Sequence, residues 1–127
     1  MIAFVSKSEA DYRTVREVAG RMSHSVVCFA DAQQARKAIH RLHPEIVICE
    51  TNVWESGNWQ ELLEDAQAAQ YLLLVVSRIA DERFWAEVLN LGGFDVLTLP
   101  FDRDELTWAL SSALRHGRRA AVAAVAV

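Results

Sequence analysis

Residues 91–101 read LGGFDVLTLPF and join the end of one predicted helix to a strand and to the next helix. Gly92-Gly93 supplies the left-handed stop that ends many helices. The run Val96–Leu99 lacks the polar alternation of a half-exposed strand, which indicates a strand covered on both faces. Asp102 with Glu105 then resembles a capping box at the start of the last helix. A strand followed by a helix, when repeated along a chain, is the building unit of a parallel sheet.

The same unit recurs upstream along the whole chain. Four more apolar runs lie at Ile2–Val5, Val26–Phe29, Ile46–Cys49 and Leu72–Val76. The segments between them carry apolar residues at helical spacing, although the segment around Val88 is less regular. The stripes are Val15, Val18, Ala19 and Met22; Ala35, Ala38, Ile39 and Leu42; Trp59, Leu62, Leu63 and Ala66; and Leu106, Ala109, Leu110, Ala113 and Leu114. We predict a flavodoxin-like (βα)5 α/β fold, a doubly wound five-stranded parallel sheet in the order 2-1-3-4-5.

Capping signals predict where the other helices begin and end. Ser8 before Asp11, Asp31 before Gln34 and Asn58 before Glu61 have the spacing of helix N-caps. Gly20 is expected to end the first helix, as a glycine often does.

Composition restricts the class of protein. The chain has 127 residues, is 52% hydrophobic and carries a net charge of −4, which suits one domain with one core and argues against nucleic-acid binding. Cys28 and Cys49 lie in apolar runs and are expected to be buried, reduced thiols in a cytoplasmic protein. No apolar run approaches a membrane span. We assign the domain to residues 1–118 and residues 119–127 to an apolar tail, which is a helix extension, a docking segment or a linker remnant.

Any site in such a sheet is expected beyond the carboxyl ends of the strands. There is no glycine after the first strand, so a dinucleotide site is excluded, and Ser6 with Ser8 is a poor flavin phosphate loop. We find no metal-binding motif or nucleophile elbow and predict no cofactor and no metal. The four histidines are scattered and are interpreted as solvated side chains.

The chain resembles the receiver domain of two-component response regulators over residues 1 to about 116. The fragments that carry this resemblance are Ile2–Lys7, residues 43–50 (HPEIVICE), Val75–Ser77 and, most specifically, residues 91–101. The resemblance implies transfer of a phosphoryl group from a histidine to a receiver aspartate, with Mg²⁺ held by an acidic pair. Those acidic positions are Ser6 and Lys7 here, and the acceptor position at the end of the third strand is Glu50.

The other positions implied by the resemblance are mostly altered as well. Ser77 keeps the hydroxyl expected after the fourth strand, whereas Leu99 replaces the lysine that precedes the proline. The switch aromatic of the fifth strand falls at Val96, and the usual Met/Leu-Pro after the acceptor reads Val53-Trp54. A lysine in a metal site repels Mg²⁺, and glutamate displaces the carboxylate. We therefore predict a pseudo-receiver that is not an enzyme and is not phosphorylated conventionally.

Two hypotheses concern what replaces that chemistry at the site. In the first, Lys7 and Glu50 form an ion pair across the strand ends; the alternative is two solvated charges. In the second, Glu50 mimics the phosphorylated state. Two other functions remain open: an active, atypical receiver phosphorylated on Glu50, and a flavodoxin-like protein that binds a small molecule.

The resemblance also implies a protein-binding face built from the fourth helix, the fifth strand and the fifth helix. The candidate contact residues are Phe84, Trp85, Glu87, Asn90, Phe94, Arg103 and Trp108. Aromatic residues and arginine are frequent interface hot spots. The partner is a signalling protein or a second copy, as in a homodimer. The alternative is that Trp85 and Trp108 serve as core or half-buried packing residues. Trp54 is a second exposed candidate, and Trp59 is expected in the core.

Overall fold

The computed structural model describes residues 1–51, 59–78 and 82–126, without the side chains at 59, 60, 67 and 118–126. Its strands are β1 (Ile2–Val5), β2 (Val26–Phe29), β3 (Ile46–Glu50), β4 (Leu72–Ser77) and β5 (Asp95–Thr98). They form one parallel sheet in the order β2-β1-β3-β4-β5. The predicted fold is confirmed, and β3 and β4 each extend one residue further than their apolar runs.

Helices cover both faces of this sheet. They are α1 (Glu9–Arg21), α2 (Ala32–Leu42), α3 (Trp59–Ala69), α4 (Glu82–Asn90) and α5 (Arg103–Ala126). The stripes of α1 and α5 pack on one face around Phe4 and Ile48. Those of α2, α3 and α4 pack on the other face around Val5 and Val47. Strand side chains alternate between the faces, so apolar runs without alternation fill two cores.

The helix signals are confirmed at most positions. Backbone N–H groups donate to the side chains of Ser8 (3.2 Å), Asp31 (2.8 Å) and Asp102 (3.0 Å), each three residues earlier. Gly92, just beyond α4, has a φ of 101°. The assignment of Gly20 is wrong: α1 continues to Arg21, and the first positive φ after it falls at Ser23. The Asn58 cap lies outside the described residues.

The two cysteines differ in exposure. Cys49 is fully buried in β3, as predicted, but Cys28 is exposed, so that prediction is wrong. The reason is the position of β2 at the edge of the sheet, where an apolar strand lacks a neighbour on one side. Partial burial raises the pKa of the Cys28 thiol, whose Sγ lies 3.8 Å from the Ser6 carbonyl oxygen.

The C-terminal segment is helical as far as Ala126. α5 crosses the proposed boundary at residue 118 without a break, and its last buried residue among those described is Leu114. In the part of the chain that the structure describes, no helix has the length and hydropathy of a membrane span.

Tyr71 links α3 to the start of β4 and makes stability sensitive to alkaline pH. Its hydroxyl donates to the Leu62 carbonyl oxygen, and burial, assisted by Asp65, raises the Tyr71 pKa above its ordinary 10.0. The neutral phenol is therefore favoured in the folded state. The stabilisation of the folded state by the neutral Tyr71 phenol is complete below the pKa of tyrosine in the unfolded chain. It is lost as the pH rises above that pKa.

We predict that Tyr71→Phe lowers the free energy of unfolding by about 0.5–1.5 kcal/mol at neutral pH, because one buried hydrogen bond is lost. Above about pH 10 the wild type should lose stability faster than the variant, by up to about 1.4 kcal/mol per pH unit. Urea unfolding of both proteins between pH 7 and pH 11 measures this. A difference that stays constant over the range would contradict the role given to Tyr71.

Candidate functional site

Three polar side chains are buried where neighbouring strands end. Ser6 follows β1, Glu50 is the last residue of β3, and Ser77 is the last residue of β4. Their exposed fractions are 3%, 6% and 3%. The parallel register aligns Glu50 with Val76, so the ends of β3 and β4 lie level. Three of the predicted site residues thus share the carboxyl edge of the sheet.

Ser6 and Glu50 contact each other directly. The Ser6 hydroxyl donates to Glu50 Oε2 at 2.5 Å, within the short range of hydrogen bonds to a carboxylate. The same Ser6 oxygen accepts the backbone N–H of Ser8 at 3.0 Å. The buried carboxylate is therefore held by a neutral hydroxyl, and this hydroxyl also orders the turn into α1.

Lys7 and the carboxylate of Glu50 have very different environments. Lys7 is exposed, while Glu50 is buried among the strand ends. An ammonium that stays in water interacts with a nearby carboxylate by about 0–1 kcal/mol. The ion pair between Lys7 and Glu50 remains a hypothesis.

A different ion pair at this edge was not predicted. Asp11, in the first turn of α1, is 8% exposed, and its Oδ2 lies 3.5 Å from Arg78 Nη2. Oδ2 has no hydrogen-bond partner among the described residues, so the contact is purely ionic. Arg78 directly follows Ser77, and the pair therefore joins the end of β4 to α1. The available signal was that Asp11 lies four residues before Val15, on the buried stripe of its helix.

Two apolar residues complete this part of the site. Leu99, which precedes Pro100 and forms a cis peptide bond with it, is buried in the core that contains Phe4. Val96 is buried in β5 on the opposite face. Where the resemblance implies a cation and an aromatic switch residue, the chain has two core side chains. Val53 and Trp54 lie outside the described residues.

The arrangement limits the chemistry of the site. In the described parts of the chain, no three His, Cys, Asp or Glu side chains are placed to hold a metal ion. The buried polar groups here are the carboxylates of Glu50 and Asp11 and the hydroxyls of Ser6 and Ser77, and the cations Lys7 and Arg78 beside them are exposed. Such a set can maintain a fixed network of hydrogen bonds and ion pairs.

The predicted binding face is on the surface. Trp85 on α4 is 49% exposed and Trp108 on α5 is 66% exposed, so neither belongs to the core. Phe84 and Phe94 are partly buried, whereas Glu87 and Asn90 are exposed. Arg103 pairs with Glu17 of α1 at 2.6 Å and is therefore directed towards α1. Trp54 and the side chain of Trp59 lie outside the described residues.

Several solved structures that are similar to this chain are receiver domains. The signal receiver domain of an HD domain-containing protein from Pseudomonas fluorescens has a TM-score of 0.80 and 21% identity, covering 93% of this chain and 96% of that one. A CheY-like response regulator receiver domain protein from Methanospirillum hungatei has a TM-score of 0.79 and 17% identity, with coverages of 93% and 95%. The beryllofluoride-activated NtrC4 receiver domain dimer has a TM-score of 0.80 and 12% identity, with coverages of 91% and 97%.

These likenesses establish the fold at low sequence identity. No protein-family model and no curated protein matches the sequence. What the fold does in this chain has to be argued from the residues at the strand ends and on the surface.

Proposed function

We propose that this chain is a degenerate receiver domain of two-component signalling, a cytoplasmic bacterial module that is not phosphorylated conventionally and acts by binding a protein. The observation that carries the proposal is the hydrogen bond from Ser6 to Glu50. It places a neutral hydroxyl against the acceptor carboxylate where a receiver has acidic metal ligands. The fold supports the family, and the residues at the strand ends support the loss of chemistry.

Loss of the metal is the first consequence. Mg²⁺ in phosphoryl transfer bridges the phosphoryl oxygens and neutralises their charge, and it needs hard, anionic ligands. Ser6 supplies one neutral oxygen and Lys7 supplies a cation. Without the metal, phosphoryl transfer to Glu50 lacks its main electrostatic stabilisation.

Loss of charge neutralisation beyond β5 is the second consequence. Leu99 is buried and apolar and cannot pair with a phosphoryl oxygen. The nearest guanidinium identified at this edge, that of Arg78, is engaged with Asp11. A transferred phosphoryl group would carry about two negative charges, and among the described residues only the neutral Ser77 hydroxyl keeps its expected role towards it.

Protein binding is proposed for the face around Trp85 and Trp108. Large aromatic side chains on a surface bury much apolar area when a partner covers them, and tryptophan is enriched in hot spots. The exposure of Trp85 (49%) and Trp108 (66%) therefore supports a binding role for this chain over an enzymatic one.

Titration with Mg²⁺ and then beryllofluoride, followed by amide NMR, tests the proposal. We expect no saturable shifts at Ser6, Lys7, Glu50 and Ser77. Glu50→Gln is the control, because it removes the acceptor charge while keeping an oxygen for Ser6; shifts shared by both proteins report nonspecific binding. Saturable shifts centred on Glu50 in the wild type alone would contradict the proposal and identify an active receiver with a glutamate acceptor.

A further inference from the structure

The lateral edge of the sheet that β2 forms, on the opposite side from β5, is flanked by cations. On α1, the Tyr12 hydroxyl donates to the Val26 carbonyl oxygen, which identifies the side of the helix that faces β2. Arg16 is four residues further on and lies about 40° round the helix from Tyr12. Arg13, one turn before Arg16, lies about 60° further round the helix from Tyr12 than Arg16 does, on the side that faces solvent. Both arginines are exposed.

The cations of α2 lie on the side of that helix nearest the same β2 edge. Arg36 binds Asp65 at 2.7 Å and Glu61 at 3.0 Å, which identifies the side of α2 that faces α3. Measured round the helix axis from Arg36, Lys37 lies at about 100° and Arg41 at about 140°. Both are on the side of α2 away from its buried stripe. They project to solvent and to the β2 side of the sheet.

We call Arg13, Arg16, Lys37 and Arg41 the basic edge. None of the four has an ion-pair partner among the described residues, and all are exposed. Between them runs β2, an edge strand of apolar, partly exposed residues. Glu9 and Glu17 lie one turn before and one turn after Arg13 on α1, and Glu17 is engaged with Arg103, while Asp31 caps the start of α2. Apolar surface framed by unpaired cations is a docking surface for an acidic, aromatic partner.

The chain itself carries a surface of that chemistry at its other edge. α4 and the first turn of α5 expose Glu82, Glu87, Asp104 and Glu105, with Arg83 as the cation of α4. The ring of His116 contacts that of Phe94 in a tilted arrangement, with 5.5 Å between centroids, and marks the β5 side of α5. Trp108 lies about 80° round the helix from His116 but about 140° from Arg103, which faces α1. We call Trp85, Trp108 and the carboxylates of Glu82, Asp104 and Glu105 the tryptophan face; Glu87 lies about 160° round α4 from Trp85 and is not part of it.

We propose that the basic edge of one copy binds the tryptophan face of a second copy, so that the protein associates head to tail. The inference rests on the proposed function, because it supplies a partner for the tryptophan face. Arginine is suited to both parts of that face, since it pairs with carboxylates and stacks on indole rings. The contact is heterologous and leaves one free surface at each end, so association should continue beyond the dimer as concentration rises.

Sedimentation velocity of the full chain over a range of concentrations tests the proposal through two paired variants. Arg16→Glu with Arg41→Glu reverses charge on the basic edge, and Trp85→Ser with Trp108→Ser removes the aromatic contacts. Each should weaken self-association roughly tenfold or more, because hot-spot contacts dominate interface energy. Mixing the two should restore a capped 1:1 complex, since each retains the surface that the other lacks. Arg21→Glu, exposed on the opposite side of α1, is the matched control.

The outcomes separate this inference from the proposed function. Wild-type association that weakens with salt, together with restoration on mixing, supports head-to-tail binding. Association lost only in the tryptophan variant, without restoration, means a symmetric contact between tryptophan faces and overturns the inference while leaving the proposed function. A wild type that stays monomeric to about 1 mM, a concentration at which even weak contacts are populated, overturns it as well. Circular dichroism of every variant confirms folding, and the beryllofluoride titration tests the proposed function independently.

Discussion

Replacing Phe4 with alanine is expected to lower the free energy of unfolding by about 3–5 kcal/mol. Phe4 is fully buried in β1, the strand that lies between β2 and β3. Its ring is 6.2 Å from that of Phe101, in a tilted arrangement, and packs with the stripes of α1 and α5. Truncation removes the transfer energy of a phenyl ring and leaves a cavity among rigid strands that cannot close around it.

Urea unfolding at neutral pH measures this loss as a lower midpoint with an unchanged slope. Trp108→Ala is the matched control, because it truncates a larger aromatic side chain that is 66% exposed. Its expected effect is within about 0.5 kcal/mol. Equal losses for the two variants would mean that Trp108 is part of the packing, and the binding role proposed for it would then have no basis.

Gly93→Ala has the second large expected effect, a loss of about 1–3 kcal/mol from overpacking. A Cβ at Gly93 would lie 2.5 Å from Val88 Cγ1 and 3.0 Å from the Val88 carbonyl oxygen. Val88 is fully buried and anchors α4 to the sheet. Rotating its side chain relieves the first clash but not the one with the backbone, so α4 must shift.

Gly20→Ala provides the opposite case in the same chain. Gly20 lies inside α1, and nothing comes within 4 Å of a Cβ built there. Alanine should raise the free energy of unfolding by about 0.5–1 kcal/mol, because it loses less backbone entropy in a helix than glycine does. The pair is measured by urea unfolding under one set of conditions. A neutral or stabilising Gly93→Ala would show that α4 tolerates displacement and is not anchored through Val88.

The folding pattern could be predicted because the signals for it are local. Strands covered on both faces produce runs such as Ile46–Cys49, and amphipathic helices repeat their apolar residues every three to four positions. Ser8, Asp31 and Asp102 cap helices through contacts within three residues. Alternation of these elements leaves few topologies, because parallel crossovers are right-handed.

The candidate site could be predicted only in outline. In a parallel sheet the strand ends share one edge, which is why Ser6, Glu50 and Ser77 could be expected to lie near one another. The contacts they make depend on side-chain direction. The hydrogen bond between Ser6 and Glu50 spans 44 positions, and the pair of Asp11 with Arg78 joins a helix to a distant strand.

The sequence by itself determined the elements, their order and which residues reach the carboxyl edge of the sheet, because periodicity and capping are encoded within a few residues. Only the tertiary structure decided exposure. Cys28 has the same apolar neighbours as a buried residue but lies on an edge strand, and Trp108 has helical spacing but faces solvent. Exposure depends on which elements cover a residue, and these come from distant parts of the chain. The surfaces proposed to bind a partner are therefore properties of the assembled fold.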